Sequence, residues 1–514
     1  MKKHFKLFLL ILTINFVFLF GCTSNKELSE EEINKRVEEA FAKIDSTALE
    51  IDRANPTGAA INDLTILTVN DFHGALEEDS GEKGIARTGQ YIVDKYNSAP
   101  DSTIVISAGD MFQGSAISNY RHGRDVINAM NAIGFELMVI GNHEFDWTLD
   151  EVLKYRDGDL TNGEANFPFL ACNIADLKND YKLPNYVEPY TILNKGNLKV
   201  GVIGYIGYGL EDDIATSMVK DYKFLEPVPI IEKYAIELRK EQKCDVVIVA
   251  GHDDSDVTNY SIANLSGDAQ VDAIVNAHTH LEKAGVINGS DGRRVPYVEA
   301  GTAGQYIGEI SLSISDNKAN YEGVRNIRMD RYVNKNKQLD DYVLKVIDAT
   351  APIFERVLVT AGTDINRYRC TDWAVNSLRD YFDVDVAFIN YGGIRASAFP
   401  IKNGDKVKVS KVYQIMPFDN TIKLVKLTGR QILNITNSTE VTYSDSLVLK
   451  NVQTINGKNL VPTELYTVAA VDYIFDKPEY PFLSGEDIES TGVLFRDVLI
   501  DALEKIESSN KKWK

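Results

Sequence analysis

The middle of the chain alternates short apolar runs with amphipathic helical patterns. Between about residues 64 and 314 these runs are rich in valine and isoleucine, and helical stretches such as Pro227–Lys240 separate some of them. Short, continuously apolar runs are typical of strands buried on both faces, and their alternation with helices favours sheets covered by helices. The pattern predicts an α/β fold with strands at residues 66–69, 104–106, 137–140, 200–203, 246–249 and 274–275.

The pattern changes beyond residue 325. Apolar positions at residues 339–358 predict a helix interrupted near Pro352, and strand-like runs follow at residues 384–389, 407–409, 422–427 and 465–471, with a helix opening at Gly429. We therefore predict a signal at residues 1–21, a tether with an amphipathic helix at 22–60, an α/β domain at 61–325, a linker helix at 326–359 and an α+β domain at 360–514.

The amino terminus has the pattern of an export signal. A basic start is followed by an apolar run from residue 5 to 20, and Cys22 comes directly after Gly21. This arrangement resembles a bacterial lipoprotein signal, in which Cys22 would become the lipidated first residue. An uncleaved anchor is the alternative, but about 14 apolar-dominated positions are fewer than the roughly 20 that span a bilayer. We expect an exported protein, periplasmic or on the cell surface, attached to a membrane through Cys22 alone.

A polar helix with one apolar stripe is predicted after Ser29. Ser29 and Glu32 have the spacing of a capping box, and the pattern continues until residues 55–58, Asn-Pro-Thr-Gly, end it. The stripe consists of apolar residues at three- and four-residue intervals, namely Ile33, Val37, Ala40, Ile44, Ala48 and Ile51. It must cover an apolar surface, so the helix either docks on the globular body or pairs with a second copy in a homodimer.

Composition and charge exclude several classes of protein. A chain of 514 residues with 44% hydrophobic and 25% charged residues is ordinary for a globular protein and fits neither disorder nor a coiled coil. The net charge of −20 argues against nucleic acid, or an anionic membrane, held by bulk electrostatics. An anionic substrate would therefore require local positive charge, from metals or a few aimed arginines. The four cysteines do not indicate a disulfide framework.

Ligand-type residues follow five of the predicted strands. Of the seven histidines in the chain, five lie in these loops, and an aspartate or asparagine accompanies most of them. The motifs are Asp71-x-His73, Gly109-Asp110, Gly141-Asn142-His143-Glu144-Phe145-Asp146, Gly251-His252 and His278-x-His280. Loops at the carboxyl ends of parallel strands are where α/β sheets place their sites. Imidazoles, an amide and a shared carboxylate are what two divalent cations need, so the set predicts a dinuclear metal centre.

In this order the motifs resemble those of the calcineurin-like metallophosphoesterases. The resemblance implies a four-layer α/β/β/α core and two divalent ions, which could be Zn, Mn, Mg, Ca or Co. The implied ligands are Asp71, His73 and His280 for one ion, Asn142, His252 and His278 for the other, and Asp110 as the bridge between them. It also implies that His143 is not a ligand. His143 would stabilise charge on the phosphoryl group or the leaving oxygen, with Asp146 orienting its ring.

Two motifs of the last predicted domain resemble the 5′-nucleotidase carboxy-terminal domain. They are Asn390-Tyr391-Gly392-Gly393-Ile394-Arg395 and Pro417-Phe418-Asp419-Asn420-Thr421. The resemblance implies a substrate site formed by Asn390, Gly393, Arg395, Phe418, Asn420, Arg369 and Tyr473. An arginine can grip a phosphate that an acidic surface would repel, and Phe418 offers a face for base stacking. Tyr391 replaces a glycine of the family pattern, and the family's Gly-Gly-Asp-Gly stretch is missing after Tyr473.

The resemblance implies a phosphohydrolase that acts on nucleotides, with nucleoside 5′-monophosphates as the first choice and a metal-bound hydroxide as the nucleophile. The departures alter the base pocket and leave the metal set intact. Three other reactions on the same centre stay open, namely hydrolysis of a nucleotide sugar, of a 2′,3′-cyclic nucleotide or of a sulfur ester. A non-catalytic surface binding protein with the same fold is the remaining alternative.

Overall fold

The computed structural model describes residues 29–79, 81–315, 318–450 and 452–514, so the predicted signal and Cys22 lie outside it. The strands of this part, in chain order, are β1 (Asp63–Val69), β2 (Thr103–Ser107), β3 (Leu137–Val139), β4 (Phe169–Leu170), β5 (Ile174–Asp176), β6 (Val187–Glu188), β7 (Tyr190–Lys195), β8 (Leu198–Ile206), β9 (Tyr222–Phe224), β10 (Val246–His252), β11 (Ala273–Asn276), β12 (Glu282–Asn288), β13 (Arg294–Ala300), β14 (Tyr306–Ser315), β15 (Lys318–Arg328), β16 (Val357–Thr360), β17 (Val386–Asn390), β18 (Lys406–Lys408), β19 (Thr421–Thr428), β20 (Val441–Tyr443), β21 (Leu447–Val448), β22 (Thr454–Ile455), β23 (Lys458–Asn459), β24 (Leu465–Val471) and β25 (Glu486–Leu494). The α-helices are α1 (Glu30–Asp45), α2 (Ile85–Ser98), α3 (Ala116–Asn119), α4 (Arg124–Ile133), α5 (Leu149–Leu153), α6 (Thr216–Val219), α7 (Pro227–Lys240), α8 (Asp256–Ala263), α9 (Lys337–Phe354), α10 (Arg367–Phe382), α11 (Val409–Ile415), α12 (Gly429–Ile435), α13 (Asp472–Phe475) and α14 (Phe495–Ser508).

Two sheets pack face to face in the first region, which we define as the part containing β1–β15. One sheet has the strand order β15-β14-β1-β2-β3-β4-β6 and the other the order β12-β13-β11-β10-β8-β7. Ile66 and Ile106 of the first sheet and Val202 and Ile248 of the second share one buried core, which fixes the two sheets against each other. This is the arrangement that the apolar runs predict, because the strands that carry those runs are covered on both faces.

Helices cover the outer faces of both sheets. Ile92 of α2 and Ile127 of α4 pack in one buried cluster with Val105 of the first sheet. Ile231 of α7 packs in another with Val247 of the second sheet. The layers therefore run helix, sheet, sheet, helix, which confirms the predicted four-layer α/β/β/α core.

The second region, which contains β16–β25, is built around a mixed five-stranded sheet. The strand order is β20-β17-β24-β19-β25, with β17 and β24 parallel and the remaining neighbours antiparallel. Helices α10 and α14 pack together beside it, so the region is α+β as predicted. The chain reaches this region through α9, which runs through Pro352 and ends at Phe354 rather than being interrupted near Pro352.

The amino-terminal helix docks on the body of its own chain. Val37 and Phe41 of α1 are buried, and α1 packs against α9. The predicted capping box is present, because the Ser29 side chain accepts the Glu32 backbone N–H and the Glu32 carboxylate accepts the Ser29 backbone N–H. No helix within the described residues combines the length and apolar character that crossing a membrane requires.

The predicted continuation of this helix to residue 55 is wrong, because α1 ends at Asp45. The following segment is extended and bonds to the first region instead. The backbone N–H groups of Thr57 and Gly58 both donate to the carboxylate of Asp101, and the N–H of Ala54 donates to Asn97. At the helix end itself, the Ser46 backbone N–H donates to the Ala42 carbonyl and the Ser46 hydroxyl donates to the Lys43 carbonyl, so the apolar period alone did not decide the boundary.

Candidate metal centre and substrate cavity

The five ligand-bearing loops meet at one edge of the sandwich. They follow β1, β2 and β3 of the first sheet and β10 and β11 of the second. Within each sheet these strands run parallel to their neighbours in the group. Parallel strands end at the same edge, so the polar side chains of all five loops converge there.

One group of ligand-type atoms is formed by Asp71, His73 and His280, which lie within 4.8 Å of one another. The Nε2 atoms of the two histidines are 3.0 Å apart. The Oδ1 atom of Asp71 is completely buried, accepts no hydrogen bond, and lies 3.5 Å from His280 Nε2. Three acceptor atoms that face one another without a proton donor between them fit a bound cation.

A second group is formed by Asp110, His252 and His278, again within 4.8 Å. The Oδ1 atom of Asn142 lies 3.0 Å from His252 Nε2 and 3.1 Å from His278 Nδ1, so the amide oxygen faces the same point. His252 Nε2 is 3.1 Å from Asp110 Oδ2. Two imidazoles, a carboxylate and an amide oxygen again make a donor set that suits a divalent cation.

The charge states of these side chains follow from their burial and from one another. Burial lowers the pKa of His73 well below its usual value and that of His280 to about 4, so both rings are neutral at neutral pH and have a lone pair free. Burial raises the pKa of Asp71 to about 6. Burial alone would raise the pKa of Asp110, but the neighbouring histidines His252, His143 and His73 together outweigh it and hold that pKa well below its usual value.

Five of the seven predicted ligand residues have a backbone in the left-handed region. Their φ angles are +48° at Asp71, +52° at His73, +54° at Asp110, +83° at His278 and +60° at His280. Residues with a Cβ rarely adopt this conformation, and it costs on the order of 1 to 3 kcal/mol each unless surrounding contacts enforce it. The ligand loops therefore depend on side chains that hold them in place.

Glu144 is one such side chain, although the sequence motif that contains it does not indicate a role for it. Its fully buried carboxylate accepts the backbone N–H groups of Gly141 (2.7 Å), Asp110 (2.9 Å) and Met111 (3.0 Å). Glu144 thereby ties the loop after β2 to the loop after β3. Burial raises the pKa of this carboxyl to about 7.

Glu299 holds the loop that carries His278 and His280. It is fully buried on β13, and the Thr279 hydroxyl and the Leu281 N–H donate to its carboxylate over 2.8 and 3.1 Å. These two donors flank His280 on both sides. No local motif marks Glu299 in the sequence, because it lies about twenty residues away along the chain and acts through the tertiary fold.

His143 and Asp146 form the predicted pair. The Nδ1 atom of His143 is 2.8 Å from Asp146 Oδ2, and its backbone N–H donates to Asp110 Oδ1 over 2.9 Å. Burial alone would lower the pKa of His143, but the carboxylates of Asp146 and Asp110 together outweigh it and raise that pKa. With Nδ1 engaged, Nε2 points toward the second region, where Arg395 Nη2 lies 3.3 Å away.

A cavity of about 320 Å³ extends from this pair into the second region. Its lining includes six of the predicted site residues of the first region, namely Asp110, Asn142, His143, Asp146, His278 and His280, and five of the second, namely Asn390, Arg395, Phe418, Asn420 and Tyr473. Phe418 stacks on the His143 ring with centroids 5.9 Å apart at 26°, and the Arg395 guanidinium carbon is 4.7 Å from the Phe418 centroid.

Two of the predicted substrate residues do not line this cavity. Arg369 is exposed on α10 and donates to the Asp364 carbonyl, whereas Arg367, on another face of that helix, donates to the carbonyls of Ile394 and Tyr391 behind the glycine motif. Gly393 is buried beneath the Asn390 side chain, where an added Cβ would lie 2.9 Å from Asn390 Oδ1. Its neighbour Gly392 is the one that lines the cavity.

Asp472 fixes the orientation of Asn420. Its Oδ1 accepts the Asn420 amide Nδ2–H over 2.8 Å, and its Oδ2 accepts the Thr421 backbone N–H and hydroxyl over 2.9 and 2.7 Å. The amide nitrogen of Asn420 is thus engaged, and its carbonyl oxygen is left for the cavity. Asp472 directly precedes the predicted stacking residue Tyr473, but the sequence motifs did not indicate a role for it.

Comparison with known proteins agrees with this geometry. Residues 64–282 match the family model of the calcineurin-like phosphoesterases, and residues 360–447 match that of the 5′-nucleotidase C-terminal domain. The chain is 28% identical over 423 residues to the snake venom 5′-nucleotidase of Gloydius brevicauda, which covers 71% of this chain and 68% of that one. It is 25% identical over 427 residues to the 5′-nucleotidase of Vibrio parahaemolyticus, covering 73% and 74%.

The fold also has solved counterparts. The crystal structure of a 5′-nucleotidase precursor from Thermus thermophilus superposes with a TM-score of 0.71 at 20% identity, covering 86% of this chain and 96% of that one. The sandwich, the two ligand groups and the first family match define a metal-dependent phosphoesterase, which is a hydrolase. The second match and the relatives narrow the class, because the chain combines a calcineurin-like phosphoesterase domain with a 5′-nucleotidase C-terminal domain and is similar to 5′-nucleotidases over most of its length.

Proposed function

We propose that this protein removes phosphate from nucleotides, most directly from nucleoside 5′-monophosphates, at a centre of two divalent metal ions. The observation that carries the proposal is that one cavity, of about 320 Å³, connects both metal-candidate groups to Phe418, Asn420 and Tyr473. Its volume is in the range of pockets that hold small ligands. A phosphate at one end and a flat base at the other would occupy its two chemically different ends.

The proposed metal ligands are Asp71, His73 and His280 for one ion, Asn142, His252 and His278 for the other, and Asp110 for both. When bound, two divalent ions activate water and offset the charge of the phosphoryl oxygens. The buried and unpaired Asp71 Oδ1 supports this assignment, because a cation would satisfy it. Zn, Mn, Mg, Ca and Co all remain candidates, and metal analysis distinguishes them.

Two side chains of the protein would act on the phosphate directly. Arg395 would bind its oxygens through the guanidinium that lies beside His143. His143, with Asp146 at Nδ1 and a raised pKa, would present a protonated Nε2 to the leaving oxygen. Phe418 and Tyr473 would hold the base, and Asn420 would contact its edge.

A nucleotide sugar is the second candidate substrate, and one observation favours it. Another cavity, of about 380 Å³, also borders His280 and Arg395 but is otherwise lined by different residues, among them Gln305, Lys411 and Gln414. A phosphomonoester has only one organic group and would leave this space unused. A substrate with a second group beyond the phosphate would place that group there.

A substrate panel tests the proposal. The protein without residues 1–22 is stripped of metal, reloaded in turn with each of the five candidate ions, and assayed on AMP, UDP-glucose, 2′,3′-cyclic AMP, a sulfur ester and p-nitrophenyl phosphate. We expect the highest kcat/KM for AMP and loss of activity on chelation. A tenfold preference for UDP-glucose would favour the second candidate, and a protein with neither metal nor activity would be a binding protein.

We also propose that the chain is exported and lipidated at Cys22. The amino-terminal pattern carries this proposal, and a detergent phase-partition assay tests it. Wild-type protein from a bacterial host should enter the detergent phase, and a Cys22→Ser protein the aqueous phase.

A homodimer through α1 would require the helix to leave its position against α9, where its stripe is already used. The division into domains at 61–325 and 360–514 with a linker helix at 326–359 remains our proposal; β15 of the first region ends at Arg328, and β16 of the second region begins at Val357.

A further inference from the structure

A carboxylate with no role in the assignments above lies behind one of the proposed metal ligands. Asp213 belongs to the turn Leu210–Asp213 between β8 and α6, and its Oδ2 is 3.5 Å from His278 Nε2. The side chain of Asp213 is 53% exposed and lines the 320 Å³ cavity. Nothing in the local sequence separates it from the acidic residues beside it.

The two nitrogens of His278 face opposite directions. Nδ1 is 3.1 Å from Asn142 Oδ1, and so faces the group formed with Asp110 and His252. Nε2 faces Asp213. A neutral imidazole has one N–H and one lone pair, and only the tautomer with its proton on Nε2 has a lone pair on Nδ1 for a metal. A carboxylate at Nε2 selects that tautomer and fixes the ring plane.

The second region holds the turn that carries Asp213. Lys477 Nζ, which follows α13, donates to the backbone carbonyl of Asp212 over 2.7 Å, and the Tyr473 hydroxyl is 3.4 Å from the same carbonyl. Lys477 Nζ also lies 4.5 Å from the centre of the Tyr473 ring. The Asp212 carbonyl belongs to the peptide unit that joins Asp212 to Asp213. The contact between this carbonyl and Lys477 of the second region therefore influences the position of Asp213.

We propose that Asp213 is a positioning residue for the metal ligand His278, and that Lys477 keeps it in place from the second region. This inference rests on the proposed two-metal centre. Glu299 holds the His278 loop through Thr279 and Leu281, but neither contact reaches the His278 ring, so a separate partner such as Asp213 would keep the ring aimed at the metal. Loss of such a partner typically lowers metal affinity by about 10- to 100-fold.

The test compares Asp213→Asn with Asp212→Asn, its matched neighbour, in which the backbone carbonyl is retained. Metal affinity is measured by competition between the apo-protein and a chromophoric chelator, with Zn²⁺ and with Mn²⁺. We expect Asp213→Asn to weaken one of two binding events by roughly 10- to 100-fold and to leave the other within about threefold. Asp212→Asn should resemble wild type, Asp213→Glu should restore most of the affinity, and Lys477→Met should weaken the same event by less than Asp213→Asn.

A tautomer measurement separates positioning from a general loss of structure. In ¹⁵N-histidine-labelled, metal-free protein the share of the His278 tautomer with its proton on Nε2 should be lower in Asp213→Asn than in wild type, because Asn142 Oδ1 beside Nδ1 favours the other tautomer. Unchanged affinity and an unchanged tautomer in Asp213→Asn, in a wild type that binds two metals and hydrolyses AMP, would overturn the positioning role alone. A wild type that binds fewer than two metals would overturn the two-metal centre, and the positioning role with it.

Discussion

Replacing Tyr473 with alanine should separate base recognition from phosphate chemistry. The Tyr473 ring contacts Lys477 and Asp212, neither of which belongs to the two metal-candidate groups. Stacking of a base on an aromatic ring contributes on the order of 1 to 3 kcal/mol, so Tyr473→Ala should raise KM for AMP by roughly 10- to 100-fold. p-Nitrophenyl phosphate depends mainly on the metal centre, and Lys477 still donates to the Asp212 carbonyl in this variant, so kcat/KM for this substrate should stay within about threefold.

Phe418 is a less selective position, because it supports the phosphate end as well. Its ring stacks on His143 and lies under Arg395, so Phe418→Ala withdraws contacts from both side chains. We expect this substitution to raise KM for AMP and also to lower kcat for both substrates. Base stacking alone would change only the nucleotide reaction, and the contacts with His143 and Arg395 extend the expected effect to both substrates.

The assay is steady-state kinetics on AMP and p-nitrophenyl phosphate with Tyr473→Ala, Phe418→Ala and the matched control Tyr473→Phe. The control keeps the ring and removes only the hydroxyl, so its KM for AMP should stay close to wild type. If Tyr473→Ala lowers kcat/KM equally for both substrates, or for neither, the second region binds something other than a base. The metal assignment would stand in that case, and the nucleotide assignment would not.

Four further substitutions test other parts of the structure. Asp110→Asn should abolish hydrolysis and lower the metal content found by elemental analysis, because it removes the one carboxylate assigned to both ions. His143→Ala should retain both metals while kcat falls by roughly 10² to 10⁴, and metal loss would instead make His143 a ligand. Asp472→Asn frees the Asn420 amide to turn its NH₂ toward the cavity, so the ratio of kcat/KM for AMP to that for IMP should fall, and an unchanged ratio would refute this reading of the pocket. Burial raises the pKa of Glu82 to about 8, so the stability that Glu82 contributes should be lost as the pH rises from about 4.5 to 8. Glu82→Gln should therefore melt at a higher temperature than wild type at pH 8.5 but not at pH 4.

The sequence predicts the strands, and the loops in which the proposed ligands lie, because both depend on local patterns. Helix Pro227–Lys240 has the predicted bounds, and strand Val246–His252 contains the run that predicts it and ends at a proposed ligand. A histidine placed after a buried strand needs no knowledge of the distant chain, since the edge at which parallel strands end already brings the loops together. The resemblance to known motifs then assigns the order of the ligands.

Other features could not be predicted because they depend on contacts between distant residues. Glu144, Glu299 and Asp472 act on backbone groups or on an amide of other loops, and a lone carboxylate in the sequence does not indicate such a partner. Arg367 and Arg369 are two residues apart on one helix, so they point in different directions, and motif spacing did not show which of them faces the glycine motif.

The charge distribution suits the anionic substrate that we propose for this acidic protein. The chain has a net charge of −20, yet the Arg395 guanidinium and the His143 imidazole lie 3.3 Å apart in the cavity. Burial lowers the pKa of Arg395, whereas the Asp146 and Asp110 carboxylates together outweigh burial and raise the pKa of His143. In the proposed function, a phosphate dianion beside both groups would stabilise their positive charge, whereas a neutral ligand would not. Selectivity for the phosphate end would then come from a local pair to which each region contributes one side chain.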